Sequence, residues 1–441
     1  MNKQEWIKAA LAAGFDQFEI YQSGTKERSY TWFEGKMDTF TASRVLGTSL
    51  RGICGGKMVN YATEDLSDDG MDRIIASMKE QAGAITSDEP GVIRSPLPVP
   101  ETAPQRRWTT PTAAEVRELL ADIEQRVLAY DERIFMVIRE GWSEETGTRS
   151  IFNSLGMDLE DTDTVQILTC GAAAKDGNDI KNEYRSEIVE DIHTFDRDAF
   201  VEKLCTDVLN KLNASSMASG TYPVIFESGA MTALFTAFSS MFSGDLIAKG
   251  ISPLRDQYGQ PVFSGKITIT DDPLRREAAQ VCPFDDEGCP TSAKTIVDHG
   301  VFRTILHNTR SASRMNAEST GNGFRGSYAS PVEVSPMNCC IEPGDKTLKE
   351  LCAEMQNGLV ITTLAGLHAG INPVTTDFSL QCSGYTVRNG VRERSVTLIT
   401  VAGNFIDLLK QVTAVGNDLD WQYHTIAAPS IAFRAVAISG E

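Results

Sequence analysis

Histidine is scarce in this chain, with five in 441 residues: His193, His299, His307, His368 and His424. No two stand at i,i+4 spacing and none opens a His-Glu-x-x-His, so the usual helix-borne zinc pattern is missing. The nine cysteines (Cys54, Cys170, Cys205, Cys282, Cys289, Cys339, Cys340, Cys352 and Cys382) contain no Cys-x-x-Cys. That excludes a zinc ribbon and a thioredoxin-type pair, and the odd, irregular set fits free thiols in a reducing cytosol. Positive charge is also short: 41 Lys and Arg stand against 60 Asp and Glu, a formal net charge of −19. Such a chain lacks the basic excess that drives counterion release, so direct nucleic-acid or anionic-membrane binding is not expected. No run approaches eighteen uninterrupted apolar residues, and no apolar signal region follows Met1, so the expected location is the cytoplasm. Gly-x-Ser-x-Gly elbows and Walker loops are absent too.

What is present is an ordinary globular balance, 41% apolar and 23% charged, enough for a sizeable core spread over two or three domains. Residues 3–13 carry Trp6, Ile7, Ala10 and Leu11 on one helical face, with Gly14 as the stop. Residues 17–64 alternate as strands, with turns at Glu34-Gly35-Lys36 and Gly55-Gly56. Helical spacing returns over 68–84. Six of the seventeen prolines (Pro90, Pro96, Pro98, Pro100, Pro104 and Pro111) then crowd one short stretch, which cannot be regular helix or central strand. Thr112 to Glu115 is a capping box opening a helix with Val116, Leu119, Leu120, Ile123 and Val127 on one face. Strands are expected at 133–142, 148–153, 164–173 and 182–192, and a helix at 196–213. Tyr222–Phe226 reads as a buried strand. Residues 229–243 are helical with no charge on any face, which marks a buried helix. Asp298-His299-Gly300 and Asn389-Gly390 signal hairpins. The fold class is α+β: an N-terminal α+β domain (1–88), a Pro-rich connector (89–111), a middle α+β domain (112–220) and a C-terminal, mainly antiparallel β domain with a buried helix (221–441).

The candidate chemistry is sparse. His368 lies in the glycine-flanked loop Gly366 to Pro373 and is the best single site candidate; a histidine tied to backbone in a tight turn is the alternative. His299 and His307 could face each other across a hairpin, more simply as a solvated pair than as a metal site. Gly321-Asn322-Gly323-Phe324-Arg325-Gly326 spells G-x-G-x-x-G, but no helix can follow because two prolines do, so the dinucleotide reading is rejected. A loop that brings backbone close to something else stays open. Asp285-Asp286-Glu287 is a carboxylate cluster of the kind that can hold calcium or magnesium, but it lacks the alternating spacing of a calcium loop and is expected as a polar turn, or as a turn ion-paired through Arg275 and Arg276. Cys339 and Cys340, as strand neighbours, point to opposite faces and are expected to pack.

The ordered segments Pro283 to Gly288, Ser319 to Asn322, Ile341 to Asp345, Gly366 to Pro373, Asp377 to Ser379, Val401 to Phe405 and Val415 to Leu419 resemble the TldD/PmbA family, also called modulators of DNA gyrase. Glu34-Gly35-Lys36 and Ser49 to Ile53 agree with it. The resemblance implies a zinc peptidase system built from two related subunits. In the TldD type, a His-Glu-x-x-x-His follows the strand equivalent to 222–227, a Cys near the C-terminus adds a ligand, and metal and Glu activate water. Here Phe235, Thr236 and Ser240 stand at the His, Glu and His positions, and no Cys follows Cys382. The chain therefore resembles the PmbA/TldE type.

From this resemblance the expected chain is a non-catalytic subunit without a metal or cofactor of its own. It would pair with a TldD-like chain that holds the zinc, form a homodimer when alone, and hold an unfolded or extended peptide by strand edges. Asn322, Arg325, His368, Asn372 and Asp377 are its candidate peptide-binding or structural loop residues. The competing expectations are an active metallopeptidase using His368, His424 or the Asp285-Asp286-Glu287 cluster, and a non-enzymatic partner of gyrase.

Overall fold

The computed structural model describes residues 2–64, 67, 70–86, 89–100 and 106–441. Helix α1 (Lys3–Ala12) is capped by the Asn2 side chain and buries Trp6, Ile7 and Ala10. Strands β1 (Gln17–Phe33), β2 (Lys36–Cys54) and β3 (Lys57–Thr63) form the meander expected over 17–64, turning at Gly35 and at Gly55-Gly56, where φ is positive. Helix α2 (Met71–Ala84) follows; the residues at 68 and 69 that begin the predicted helix lie outside the described set, as does part of the connector at 101–105. The described connector residues have no regular secondary structure, as proline density requires, and lie along the surface through bonds such as Gly91 N–H to Gly56 O.

Helix α3 (Ala113–Tyr130) begins at the Thr112–Glu115 capping box and buries all five residues of its predicted face. Strand β4 (Ile134–Asn153) is one element where two were expected, because its polar centre keeps pairing with β1 and β5. Strands β5 (Asp158–Asp176) and β6 (Asp179–Ile188) and helix α4 (Arg197–Leu209) complete this part. The strands of the first two segments join in one six-stranded sheet, β3-β2-β1-β4-β5-β6, in which β1 runs antiparallel to β4 from Glu19–Asn153 to Trp32–Glu140. Alternation sorts its two faces. Phe18, Ile20 and Leu50 pack under α1 and α2, and Tyr30, Trp142, Leu168 and Cys170 under α3 and α4. The opposite face presents Glu19, Tyr21, Arg51 and Arg149, with Glu19 directly across the ladder from Arg51 and Arg149 across from Ser23.

The C-terminal part starts with β7 (Gly220–Phe226), α5 (Ser228–Phe238), a single 3₁₀ turn at Ser239–Phe242, and α6 (Gly244–Ala248). A smaller sheet follows from β8 (Ile269–Asp271), β9 (Lys294–Asp298) and β10 (Val301–Phe302), with α7 (Thr309–Arg314), the short pair β11 (Gly323–Phe324) and β12 (Glu333–Val334), and β13 (Cys339–Ile341). Then come α8 (Leu348–Met355), β14 (Gly358–Ala365), β15 (Asp377–Arg388), β16 (Val391–Asn404), α9 (Phe405–Lys410), β17 (Val412–Val415), β18 (Ile426–Ala427) and β19 (Ile431–Ser439). The order β16-β15-β14-β7-β19-β17, with β16 also paired to β19, closes a β-barrel. Only β14–β7 in it is parallel, so the domain is mainly antiparallel as expected. Its largest core joins barrel residues such as Phe226, Leu359, Leu380 and Val401 to Leu234, Phe235 and Phe238 of α5. Phe238 stacks on Phe405 with ring centroids 4.8 Å apart. Asn389 and Gly390, both at positive φ, make the tight turn between β15 and β16. Cys339 and Cys340 enter two different apolar clusters, as opposite faces of one strand must.

Candidate functional site

The family resemblance places its chemistry on the buried helix. Helix α5 has no charged residue and sinks Ala230, Met231, Leu234, Phe235 and Phe238 into the core. Phe235 is wholly buried and has no donor atom. Thr236 is exposed and Ser240 half-buried. His424 is half-buried, with burial lowering its pKa and its ring 4.4 Å from that of Tyr423. Among the described residues, no three His, Cys, Asp or Glu side chains gather so as to hold a metal ion. The set Phe235, Thr236 and Ser240 does not fit a zinc centre, which needs deprotonated nitrogen, sulfur or oxygen ligands.

The acidic triplet is where the molecule concentrates buried charge; it forms a polar turn as expected, but without the expected pairing to Arg275. Asp285, Asp286 and Glu287 are all buried, and their cations come from the N-terminal sheet; Arg275 instead reaches Glu342 at 2.7 Å. Asp285 folds the turn: Oδ1 accepts from Glu287 N and Cys289 N, and Oδ2 from Gly323 N. Burial and Glu287 push its carboxyl upward against those three donors. Asp286 accepts from Tyr21 Oη at 3.1 Å, Arg149 Nη1 at 3.4 Å and Arg325 N at 2.8 Å. Glu287 accepts from Arg51 Nη1 at 3.3 Å and Thr309 N at 2.7 Å. Arg51 also donates from Nε to Glu19 at 2.8 Å. This network locks the sheet to the C-terminal domain. The G-x-G-x-x-G loop supplies part of it: a Cβ on Gly323 would lie 2.9 Å from Glu287 Oε2, so the backbone approaches the carboxylates as only glycine allows.

The remaining candidates divide by place. Asn322 is fully buried and donates to Asp271 at 2.9 Å and to Ser335 O at 3.0 Å; it holds the same loop as Arg325. Asn372 accepts from Val374 N and Thr375 N, closing a turn, and Asp377 accepts from Asn404 Nδ2 at 2.9 Å, which holds its carboxyl below the usual range. Both stabilise one loop at the start of β15. His368 is exposed nearby in sequence and is not brought to the acidic network. His299 and His307 do not face each other. His299 sits exposed in its turn beside Asp298, while His307 is buried, held by Ser311 at 3.1 Å, because the chain bends away from the hairpin after Phe302.

Two clefts were not anticipated. One, of about 610 Å³, lies between α4 and strands β14 to β16 and is lined by Lys203, Asp207, Glu227, Tyr385 and Arg392. Burial raises the carboxyls of Asp207 and Glu227, Lys203 lies 3.8 Å from Glu227, and the Arg392 guanidinium sits 4.1 Å over the Tyr385 ring. Glu227 also precedes the first residue of α5. The other, of about 650 Å³, lies between β2, β3, the connector and the α7 region. Their residues come from segments far apart in sequence, so no local motif signals them.

Three family models match the chain: the PmbA/TldA metallopeptidase domain 1 over residues 18–82, the central domain over 106–212 and the C-terminal domain over 219–440. The chain belongs to the PmbA/TldD family. A metalloprotease PmbA homolog of Haemophilus influenzae is 28% identical over 408 residues, 91% of this chain and 87% of that one. A Thermotoga maritima structure, named as a candidate modulator of a DNA gyrase, superposes with a TM-score of 0.87 at 27% identity over 99% of each chain. TldE from Thermococcus kodakarensis gives a TM-score of 0.90 over 99% of each chain at 21% identity, a likeness of fold. Within this PmbA/TldD fold, α5 and the acidic turn are thus placed in the matched C-terminal domain.

Proposed function

We propose that this chain is the PmbA/TldE-type subunit of a peptidase pair, supporting a TldD-like catalytic chain that holds the zinc. The observation that carries the reading is Phe235. At the position where the resemblance implies a ligating histidine, a phenyl ring is wholly buried among Leu234, Phe238 and the barrel core. Restoring a metal there would require opening that core, changing three side chains and supplying the C-terminal Cys that the chain lacks. The process served is cleavage of extended peptides in the cytoplasm, including trimming of precursors, with this chain holding peptide along strand edges. Alone, it forms a homodimer. No helix among the described residues is long and apolar enough to cross a membrane.

The test mixes this chain with a TldD-like relative carrying His-Glu-x-x-x-His and follows cleavage of an unfolded protein. Chelator-sensitive cleavage that needs both chains is the expected result. Cleavage by this chain alone, with stoichiometric zinc in the purified protein, would overturn the reading. The gyrase reading has less support, since the charge of −19 disfavours a complex built around DNA.

A further inference from the structure

The cleft between β3 and the α7 region runs against the chain's overall charge. Four arginines line it, Arg51, Arg310, Arg314 and Arg325, against two carboxylates, Glu89 and Glu287, in a protein of net charge −19. Three of the four are already engaged. Arg51 is held by Glu19 and Glu287, Arg314 by Glu89 and Asp245, and Arg310 lies at the rim, 3.6 Å from Asp245.

Arg325 differs. Its Nη1 donates to Ser49 Oγ at 3.0 Å and to Ser330 O at 3.3 Å, and its guanidinium lies 4.7 Å from the Tyr21 ring centre. Its Nε and Nη2 are buried and have no hydrogen-bond partner, a costly state for charged donors. These two atoms form one edge of the guanidinium, the edge that offers two parallel N–H bonds to a carboxylate. The chain uses that same edge elsewhere: Arg149 grips Asp161, Arg133 grips Asp131 and Arg185 grips Glu187, each through Nε and Nη2. At Arg325 the edge is formed and the carboxylate is missing.

The facing wall is β3, the edge strand of the six-stranded sheet, which contributes Met58, Asn60, Tyr61 and Ala62. An edge strand recognises an extended chain through its main-chain groups, with a terminal carboxylate captured separately. A single free guanidinium edge also matches the single charge of a carboxylate better than the near-double charge of a phosphate.

We propose that this cleft binds the carboxyl terminus of an extended peptide, with the Nε–Nη2 edge of Arg325 as its bidentate anchor and Arg310 as the charge at its mouth. This rests on the peptide-handling reading above but can be tested without a catalytic partner. The full chain is titrated calorimetrically with an N-acetylated Gly-Ser-Ala-Gly-Ser-Ala peptide as the free acid, with its C-terminal amide, and with inorganic phosphate. The free acid should bind about tenfold or more tightly than the amide. Arg325→Gln should remove that preference. Arg310→Ala, at an exposed position with little to unfold, should weaken the acid a few-fold, by about half a decade, and more at low salt. Equal binding of acid and amide, no binding of either, or binding of phosphate with the peptide unable to displace it would each overturn the assignment. If the chain still stimulates a TldD-like partner after such a result, the carboxylate site falls and the subunit role stands.

Discussion

Arg51 of the N-terminal sheet and Glu287 of the C-terminal domain meet at 3.3 Å with both side chains more than nine-tenths buried. They are 236 positions apart in sequence. Because Glu19 holds the other side of the same guanidinium, Arg51 carries two carboxylates out of water with it. Replacing it by Met should leave both uncompensated, at a cost of about 3–5 kcal/mol. Calorimetry should show a large fall in Tm, whereas the exposed Arg388→Met, which breaks the Glu393 pair, should shift it by little.

Glu140 is 1% exposed, and neither of its carboxylate oxygens has a partner. Burial first, and then Glu124, push its pKa up to about 9. The folded chain therefore binds a proton there that the unfolded chain releases near the ordinary carboxyl range, so stability falls as pH rises from about 4.5 toward about 9. Glu140→Gln should flatten that part of the urea-midpoint-against-pH curve. An unchanged slope in the variant would show that Glu140 is not the group responsible.

Phe235→Ala should cost about 3–5 kcal/mol, as expected for a truncated core aromatic. Phe235→His should also destabilise, because an imidazole there loses its water without gaining ligands. Urea denaturation measures both, and zinc should not rescue the His variant.

All nine cysteines are free, and Cys54 alone is not buried. Burial raises the thiols of Cys205 and Cys382 to about 12 and that of Cys282 to about 11. Iodoacetamide on the native protein should therefore alkylate Cys54 first and leave the others until urea is added. Peptide mass spectrometry reads the order directly.

The apolar half of the fold was legible in the sequence. The five-residue face of α3, the uncharged α5 and the turn at Asn389-Gly390 all follow from spacing or from glycine. The far face of the large sheet was not. Glu19 and Tyr21 alternate with Phe18 and Ile20, Arg51 follows Leu50, and Arg149 stands in a polar run between Thr148 and Ser150; patterns of that kind ordinarily mark a solvated face. Here the acidic turn covers it, and an Asp-Asp-Glu run shows nothing of which distant arginines it will meet. For the same reason Arg325 could be singled out for its motif, while the cleft around it could not be foreseen. Asn372 and Asp377 are legible as loop residues, and the bonds to Val374, Thr375 and Asn404 give them that work.

The seam between β1 and β4 also governs how the chain is made. Glu19 and Asn153 are paired across 134 intervening steps of sequence. During synthesis at roughly 5–20 residues per second, β1 must wait on the order of ten seconds before its second neighbour has even been polymerised. Through that interval its open edge, rich in unpaired N–H and C=O groups, faces whatever else is in the cell. A nascent fragment ending in the proline-rich connector is therefore the state of this protein most in need of a chaperone.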